Sequence, residues 1–191
     1  MKKQFHIIGL ILSISFISFL FLSTKNNQSS LKANISHDPL AARFDYLSKA
    51  GNSTCSAVFK ESILEMSDSS HIQGSCCSPM DFHRYTEQIN GLKKYKEILE
   101  IPSDPYDVEA GLAKKLIGYY DMKLNLEEQK AYDYAMQNSH EKGPCCCKCW
   151  RWYVYGGLGK YLILNHGFTG EQLTDLWNLS DGCGGSGNHA H

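Results

Sequence analysis

Apolar residues along this chain recur at the three- and four-residue steps of helices, and no convincing two-residue alternation of strands appears. Leu40, Phe44 and Leu47 predict a helix over Pro39 to Lys49. Val58, Phe59, Ile63 and Leu64 predict another over Ser56 to Met66, with Gly51-Asn52 as the turn between them. The next helix has a start signal: Ser78 to cap, Pro79 at the first helical position and Asp81 at the third. Its apolar face comprises Phe82, Tyr85, Ile89, Leu92 and Leu99, and Pro102 ends it. Asp104-Pro105-Tyr106-Asp107 repeats the start signal ahead of a stripe of Val108, Leu112, Leu116, Tyr119 and Tyr120. Asn125 and Glu128 form a capping pair for a helix reaching about Ser139, and Gly143-Pro144 stops it.

Trp150, Val154, Leu158, Tyr161, Leu162 and Asn165 then fall on one helical face. Gly156, Gly157 and Gly159 each weaken that helix by up to about 1 kcal/mol relative to alanine, and they permit close backbone packing. Gly167 suits its end, and Thr169 with Gln172 opens a last helix carrying Leu173, Leu176 and Trp177. The expected fold class is all-α, a small helical bundle.

The two ends read differently from the body. Lys2 and Lys3 precede an uncharged apolar run from Ile7 to about Ser23. Its length lies between the core of a signal peptide, about 7–15 residues, and a bilayer span of about 18 or more. The flanking lysines stay in the cytoplasm and send the rest outward. No clean small-residue cleavage site follows, and no cysteine lies close enough to the run to carry a lipid. Residues 1–24 are therefore expected to be a membrane anchor or signal peptide, and 25–38 a polar tether. The helical cysteine-rich domain is expected over 39–182, with a flexible Gly/His tail at 183–191. The body is expected to be extracytoplasmic, membrane-anchored or secreted, in a space that is often oxidising.

The length of 191 residues favours one domain. Nineteen basic residues against 20 acidic ones, a net charge of −1, argue against a nucleic-acid partner, which needs a basic surface. The unusual feature is eight cysteines in 191 residues. That is well under the roughly 8–10% of disulfide-stapled scaffolds.

Six of the eight gather in two places. Cys76 and Cys77 are adjacent, just before the predicted helix at Ser78. Cys145, Cys146, Cys147 and Cys149 crowd together after Pro144, before the helix at Trp150. A helix start carries unpaired N–H groups and the positive end of the dipole, which favour anions and lower thiol pKa values. Thiolate is both the metal ligand and the nucleophile. Short spacings such as Cys146-x-x-Cys149 and Cys145-x-Cys147-x-Cys149 suit thiophilic ions, copper(I) or zinc. The candidate ligands are Cys76, Cys77, Cys145, Cys146, Cys147 and Cys149, with Cys183 of the tail as a seventh.

Two other readings stand beside this one. Cys146 and Cys149 as a helix-start CxxC would serve a thiol–disulfide oxidoreductase, although no thioredoxin-like βαβ pattern accompanies them. Bridges among the clusters, Cys55 and Cys183 would make a disulfide-stabilised binding module. The eight histidines add little. His6 and His37 lie in the anchor and tether; His71, His83, His140 and His166 read as ordinary surface or core residues; His189 and His191 form a metal-capable pair in the tail. Trp150, Trp152, Tyr153 and Tyr155 read as core, with Trp152 and Tyr155 placed to shield a sulfur site.

Pro144 to Cys149 spell PCCCKC. This resembles the PCYCGC-motif proteins, small bacterial extracytoplasmic proteins. Pro144, Cys145, Cys147 and Cys149 match in register, while Cys146 stands for the tyrosine and Lys148 for the glycine. The preceding AYDYAMQNSHEKG is similar to the segment leading into that motif, so the resemblance covers about the last third of the chain. Downstream, WRWYVYGGLGKYLI replaces that family's further cysteines. The resemblance implies an exported cysteine-motif protein with a metal role and supplies no activity.

Overall fold

The computed structural model describes residues 38–56 and 58–185. Among these, the chain forms α1 (Pro39–Lys49), α2 (Phe59–Glu65), β1 (His71–Gln73) and α3 (Phe82–Leu92), the last continued by a 3-10 turn, Lys93–Tyr95. β2 (Asp107–Glu109), α4 (Ala110–Tyr120), α5 (Leu126–Asn138), α6 (Trp150–His166) and α7 (Gly170–Ser180) follow. The anchor or signal expected at 1–24, all but the last residue of the tether, and residues 186–191 of the tail lie outside the described residues. Among the described residues, no helix is long and apolar enough to cross a membrane.

The core is built around α6. Trp150, Val154, Tyr155, Leu158, Leu162 and Ile163 are all buried, so this helix is enclosed around most of its circumference. Its glycines make that possible. A Cβ on Gly157 would overlap the Leu116 carbonyl of α4, so the two backbones meet there without a side chain between them. On α7, Leu173 and Trp177 close over Gly159, and the Trp177 indole donates to the Tyr155 carbonyl at 3.0 Å. Tyr132 of α5 meets Trp177 edge to face at 5.4 Å.

The helix ends follow local chemistry. Asn125 accepts from the Glu127 and Glu128 amides at 3.0 Å, and Glu128 reaches back to the Asn125 amide at 2.7 Å. Thr169 and Gln172 form the same reciprocal pair before α7. Gly167 closes α6 in the left-handed conformation, φ 63°.

The expected helical domain is present, and three details differ from expectation. First, among the described residues the helices are joined by one short ladder: β1 and β2 pair antiparallel, with Ile72 opposite Val108, and both of these side chains are buried. The strands are too short to display an alternation. Second, α3 begins at Phe82 and not at Ser78-Pro79. Asp81 is its N-cap, accepting from the Arg84 amide at 2.8 Å. The helix gives way to the 3-10 turn after Leu92, which leaves Leu99 86% exposed instead of on the buried face. Third, Asp104 does not open a helix. It accepts from the Tyr106 amide in a local turn, the chain enters β2, and α4 starts only at Ala110.

Candidate metal centre

Four separate segments bring the cysteines together. Cys55 lies between α1 and α2, Cys76 and Cys77 between β1 and α3, Cys145 to Cys149 between α5 and α6, and Cys183 after α7. Each segment is tied down by polar contacts. The Cys55 loop is held to β1 through Asn52 and Gln73, whose amide donates to the Asn52 side chain at 2.7 Å. The same loop is held to α6 by the Trp150 indole, which donates to the Ser53 hydroxyl at 3.1 Å. Ser139 makes the turn before the large cluster, accepting from the Gly143 amide at 2.8 Å and donating to its carbonyl at 3.0 Å.

Cys183 has a different position from the one its glycine-rich surroundings imply. The stretch that reads as flexible begins as an ordered strap. The Cys76 amide donates to the Gly182 carbonyl, and the Cys77 and Ser78 amides donate to the Cys183 carbonyl at 3.1 and 2.8 Å. Gly185 donates back to Pro79 at 2.8 Å. Gly184, at φ 89°, lies so close to the Ser78 carbonyl that a Cβ would overlap it. Cys183 is completely buried.

The eight sulfurs form one connected group. Cys145 lies 3.6 Å from Cys149 and 3.4 Å from Cys183; Cys146 lies 3.2 Å from Cys183. Cys76 lies 3.6 Å from Cys77 and 4.0 Å from Cys183, and Cys55 lies 2.9 Å from Cys147. All eight are free thiols. Their separations, 2.9 to 4.0 Å, are longer than the bond length of a disulfide, about 2.05 Å. They approach the edge length of a metal–thiolate site, since a metal–sulfur bond of about 2.3 Å puts ligand sulfurs about 4 Å apart.

Four three-sulfur sets have all their sulfurs within 4.8 Å of one another: Cys55–Cys77–Cys147, Cys76–Cys145–Cys183, Cys77–Cys146–Cys183 and Cys145–Cys146–Cys147. Six of the seven ligands expected from sequence therefore fall into such sets. Cys149 falls into none and sits behind Cys145. Cys55, which stands alone in the sequence, joins the exposed edge. Cys146 and Cys149, the expected redox pair, make contacts with other sulfurs: Cys146 with Cys183 at 3.2 Å and Cys149 with Cys145 at 3.6 Å. Among the described residues no histidine enters a set. His71 is held by Asp107 at 2.8 Å and His83 faces Glu87 at 3.2 Å; His189 and His191 lie outside the described residues.

Sulfur–sulfur hydrogen bonds split the thiols electrostatically. Bonding to Cys145 holds Cys76 down to about 7 and Cys146 and Cys183 down to about 6. Hydrogen bonding to Cys146, Cys149 and Cys183 pushes Cys145 itself well up, and burial pushes up Cys77 and Cys147. The group thus divides into thiols that give up their protons more readily than usual and thiols that hold them more tightly.

Arg151 is the site residue that the sequence pattern conceals. It is fully buried in the first turn of α6. Its guanidinium donates to the Pro105 carbonyl at 2.6 Å and the Gly74 carbonyl at 3.3 Å, and it lies 4.6 Å from the centre of the Trp150 ring. Among the described residues no carboxylate forms an ion pair with it; instead its positive charge helps to lower Cys76. Gly182 leaves the space its head occupies, since a Cβ there would overlap the guanidinium. A buried cation with carbonyl partners and thiols around it creates a local preference for negative sulfur. The available signal was an arginine inside an aromatic, glycine-rich helix with no acidic residue three or four positions away.

An open apolar cleft elsewhere, lined by Tyr85, Ile89, Leu92, Tyr95, Ile98 and Val108, contains none of the cysteines. No protein-family model, curated protein or solved structure matches this chain.

Proposed function

We propose that this protein binds a thiophilic metal, copper(I) or zinc, through its clustered cysteine thiolates, and that it buffers, acquires or delivers that metal. The observation that carries the reading is the convergence of eight free thiols, from four chain segments, into one connected sulfur group. Soft thiolate sets of this kind select copper(I) and zinc over harder ions. Three thiols are held below the ordinary thiol value, which eases the loss of the protons that metal binding requires. The buried charge of Arg151 favours the same ionised state.

The apolar run behind Lys2 and Lys3 supports an extracytoplasmic protein held at, or exported across, a membrane. The resemblance of PCCCKC to the PCYCGC motif agrees with export. Metal ions and the membrane are then the partners.

The test is metal analysis of the full chain, purified and reduced under anaerobic conditions and exposed to copper(I) or zinc. Retention of metal after desalting, with loss when Cys145, Cys146 and Cys183 are replaced by serine, is expected. Retention no greater than that of the serine variant would sink the reading. Non-reduced mass spectrometry of protein from its source gives the second check, because four fixed disulfides would favour a disulfide-stabilised module instead.

A further inference from the structure

The four three-sulfur sets are not independent alternatives. Cys77, Cys145, Cys146, Cys147 and Cys183 each belong to two sets, whereas Cys55 and Cys76 each belong to one. The set of Cys55 shares Cys77 with the third and Cys147 with the fourth. The set of Cys76 shares Cys183 with the third and Cys145 with the fourth, and those last two share Cys146. Of the six possible pairs of sets, five are thus joined by one sulfur. The remaining pair is left open, with Cys55 and Cys76 as its two separate ends.

We infer that these sets are four trigonal positions of a single tetranuclear copper(I)–thiolate cage, with five bridging cysteines and two terminal ones. This deepens the metal-binding reading and rests on it. Thiolate sulfur has several lone pairs and readily bridges two soft monovalent ions. Copper(I) is satisfied by three sulfurs, whereas zinc sites are almost always four-coordinate. The sets offer twelve metal–sulfur positions, enough for four three-coordinate ions and four short of what as many tetrahedral ions need.

Geometry and charge agree. A trigonal site with bonds of about 2.3 Å has sulfur edges of about 4.0 Å. The edge from Cys76 to Cys183 is 4.0 Å, those from Cys145 and Cys146 to Cys183 are 3.4 and 3.2 Å, and that from Cys55 to Cys147 is 2.9 Å, so the sulfurs spread by up to about 1 Å as they take the metal. Each thiol releases its proton as its sulfur takes the metal. Seven thiolates around four monovalent ions leave excess negative charge, and the guanidinium of Arg151 is buried against Gly182, the chain neighbour of Cys183.

The cage makes quantitative demands on stoichiometry. The reduced full chain, titrated anaerobically with copper(I) and observed by native mass spectrometry, should pass from empty to four ions with little one-ion species. X-ray absorption should show sulfur ligands and a copper–copper shell. Replacing Cys55, exposed and in one set, with serine should remove one position and leave three ions. Cys146→Ser, which breaks two sets, should leave two or fewer. Circular dichroism confirms that both variants keep their helices. Zinc should saturate below four ions.

Saturation of the wild type at one or two copper ions would overturn the cage while leaving metal binding intact. So would equal losses in the two variants, or four bound zinc ions. Binding of no metal at all would instead remove the parent reading.

Discussion

Two cysteine-bearing loops lead into helices, and they look alike in sequence. One carries Cys76 and Cys77 toward α3; the other carries Cys145 to Cys149 into α6. The structure separates them. The α3 end is closed by a carboxylate, with Asp81 capping the Arg84 amide, and Cys76 and Cys77 lie upstream of it. The α6 end has Cys149 at the cap position, no side-chain cap, no acidic residue in its first turn and the buried Arg151 inside it. One positive helix end is answered by its own carboxylate. At the other, the helix dipole and a guanidinium add, and the surrounding sulfurs are the groups available to answer them. Cys76 and Cys77 are positioned by backbone pairing with the strap at Gly182 and Cys183. Their part in the site comes from tertiary convergence, not from a helix terminus.

Removing Arg151 should break this contrast most severely. Arg151→Met preserves much of the apolar stem and deletes the charge, leaving the Pro105 and Gly74 carbonyls buried without their donor. Each orphaned carbonyl costs on the order of 1–3 kcal/mol, so a loss of about 3 kcal/mol in unfolding free energy is expected. Denaturant melts of the reduced protein measure it. The thiolate absorbance of the cluster should also titrate at higher pH than in the wild type. Stability and titration like those of the wild type would show that the guanidinium does not serve the sulfurs.

The thiol titration itself sharpens the comparison. Cys76, Cys146 and Cys183 have folded values below the ordinary thiol value of about 8.5. Their contribution to stability is complete above that value and is lost as pH falls through about 7 to 6. Cys77, Cys145 and Cys147 are raised, so their contribution is complete below the ordinary value and declines above it. Metal-free, reduced protein should therefore gain stability from pH 6 toward about 8.5 and lose it at higher pH. A curve that rises monotonically through pH 10 would contradict the split between the two groups of thiols.

Much of the helical frame was legible because its signals are local. Asn125 with Glu128, Thr169 with Gln172, and Gly167 each act within one turn, so sequence spacing suffices. Gly157 was readable as a packing glycine, while its partner, the Leu116 carbonyl, was not. The ladder of β1 and β2 was hidden by its brevity. The α3 start was misplaced because Ser78 and Pro79 satisfy the rules for a helix start, yet their backbone groups are engaged by Cys183 and Gly185. The same long-range strap explains why Cys183 looked peripheral and proves central. The composition around it argues for mobility, and only its pairing with a loop a hundred residues earlier reverses that. Cys55 was missed for the same reason: its partners, Cys77 and Cys147, are close in space alone.

The smallest expected effect tests whether the two helix ends are independent. Asp81→Ala removes the α3 cap and should cost about 1 kcal/mol, the usual magnitude for losing a capping carboxylate. Thermal unfolding of the reduced protein would register this as a modest fall in Tm. Because Asp81 belongs to none of the sulfur sets, the number of metal ions bound should stay at the wild-type value, and so should the midpoint of thiolate absorbance. The outcome that matters is a separation of readouts: stability falls while the cluster is untouched, the reverse of what removing a bridging cysteine does. If metal capacity dropped along with stability, the α3 cap would have to be supporting the Cys76–Cys77 loop through Met80, which pairs with Gly185 of the strap. The two ends would then be one mechanical unit, and the contrast between them would lie in how they are charged and not in what they hold.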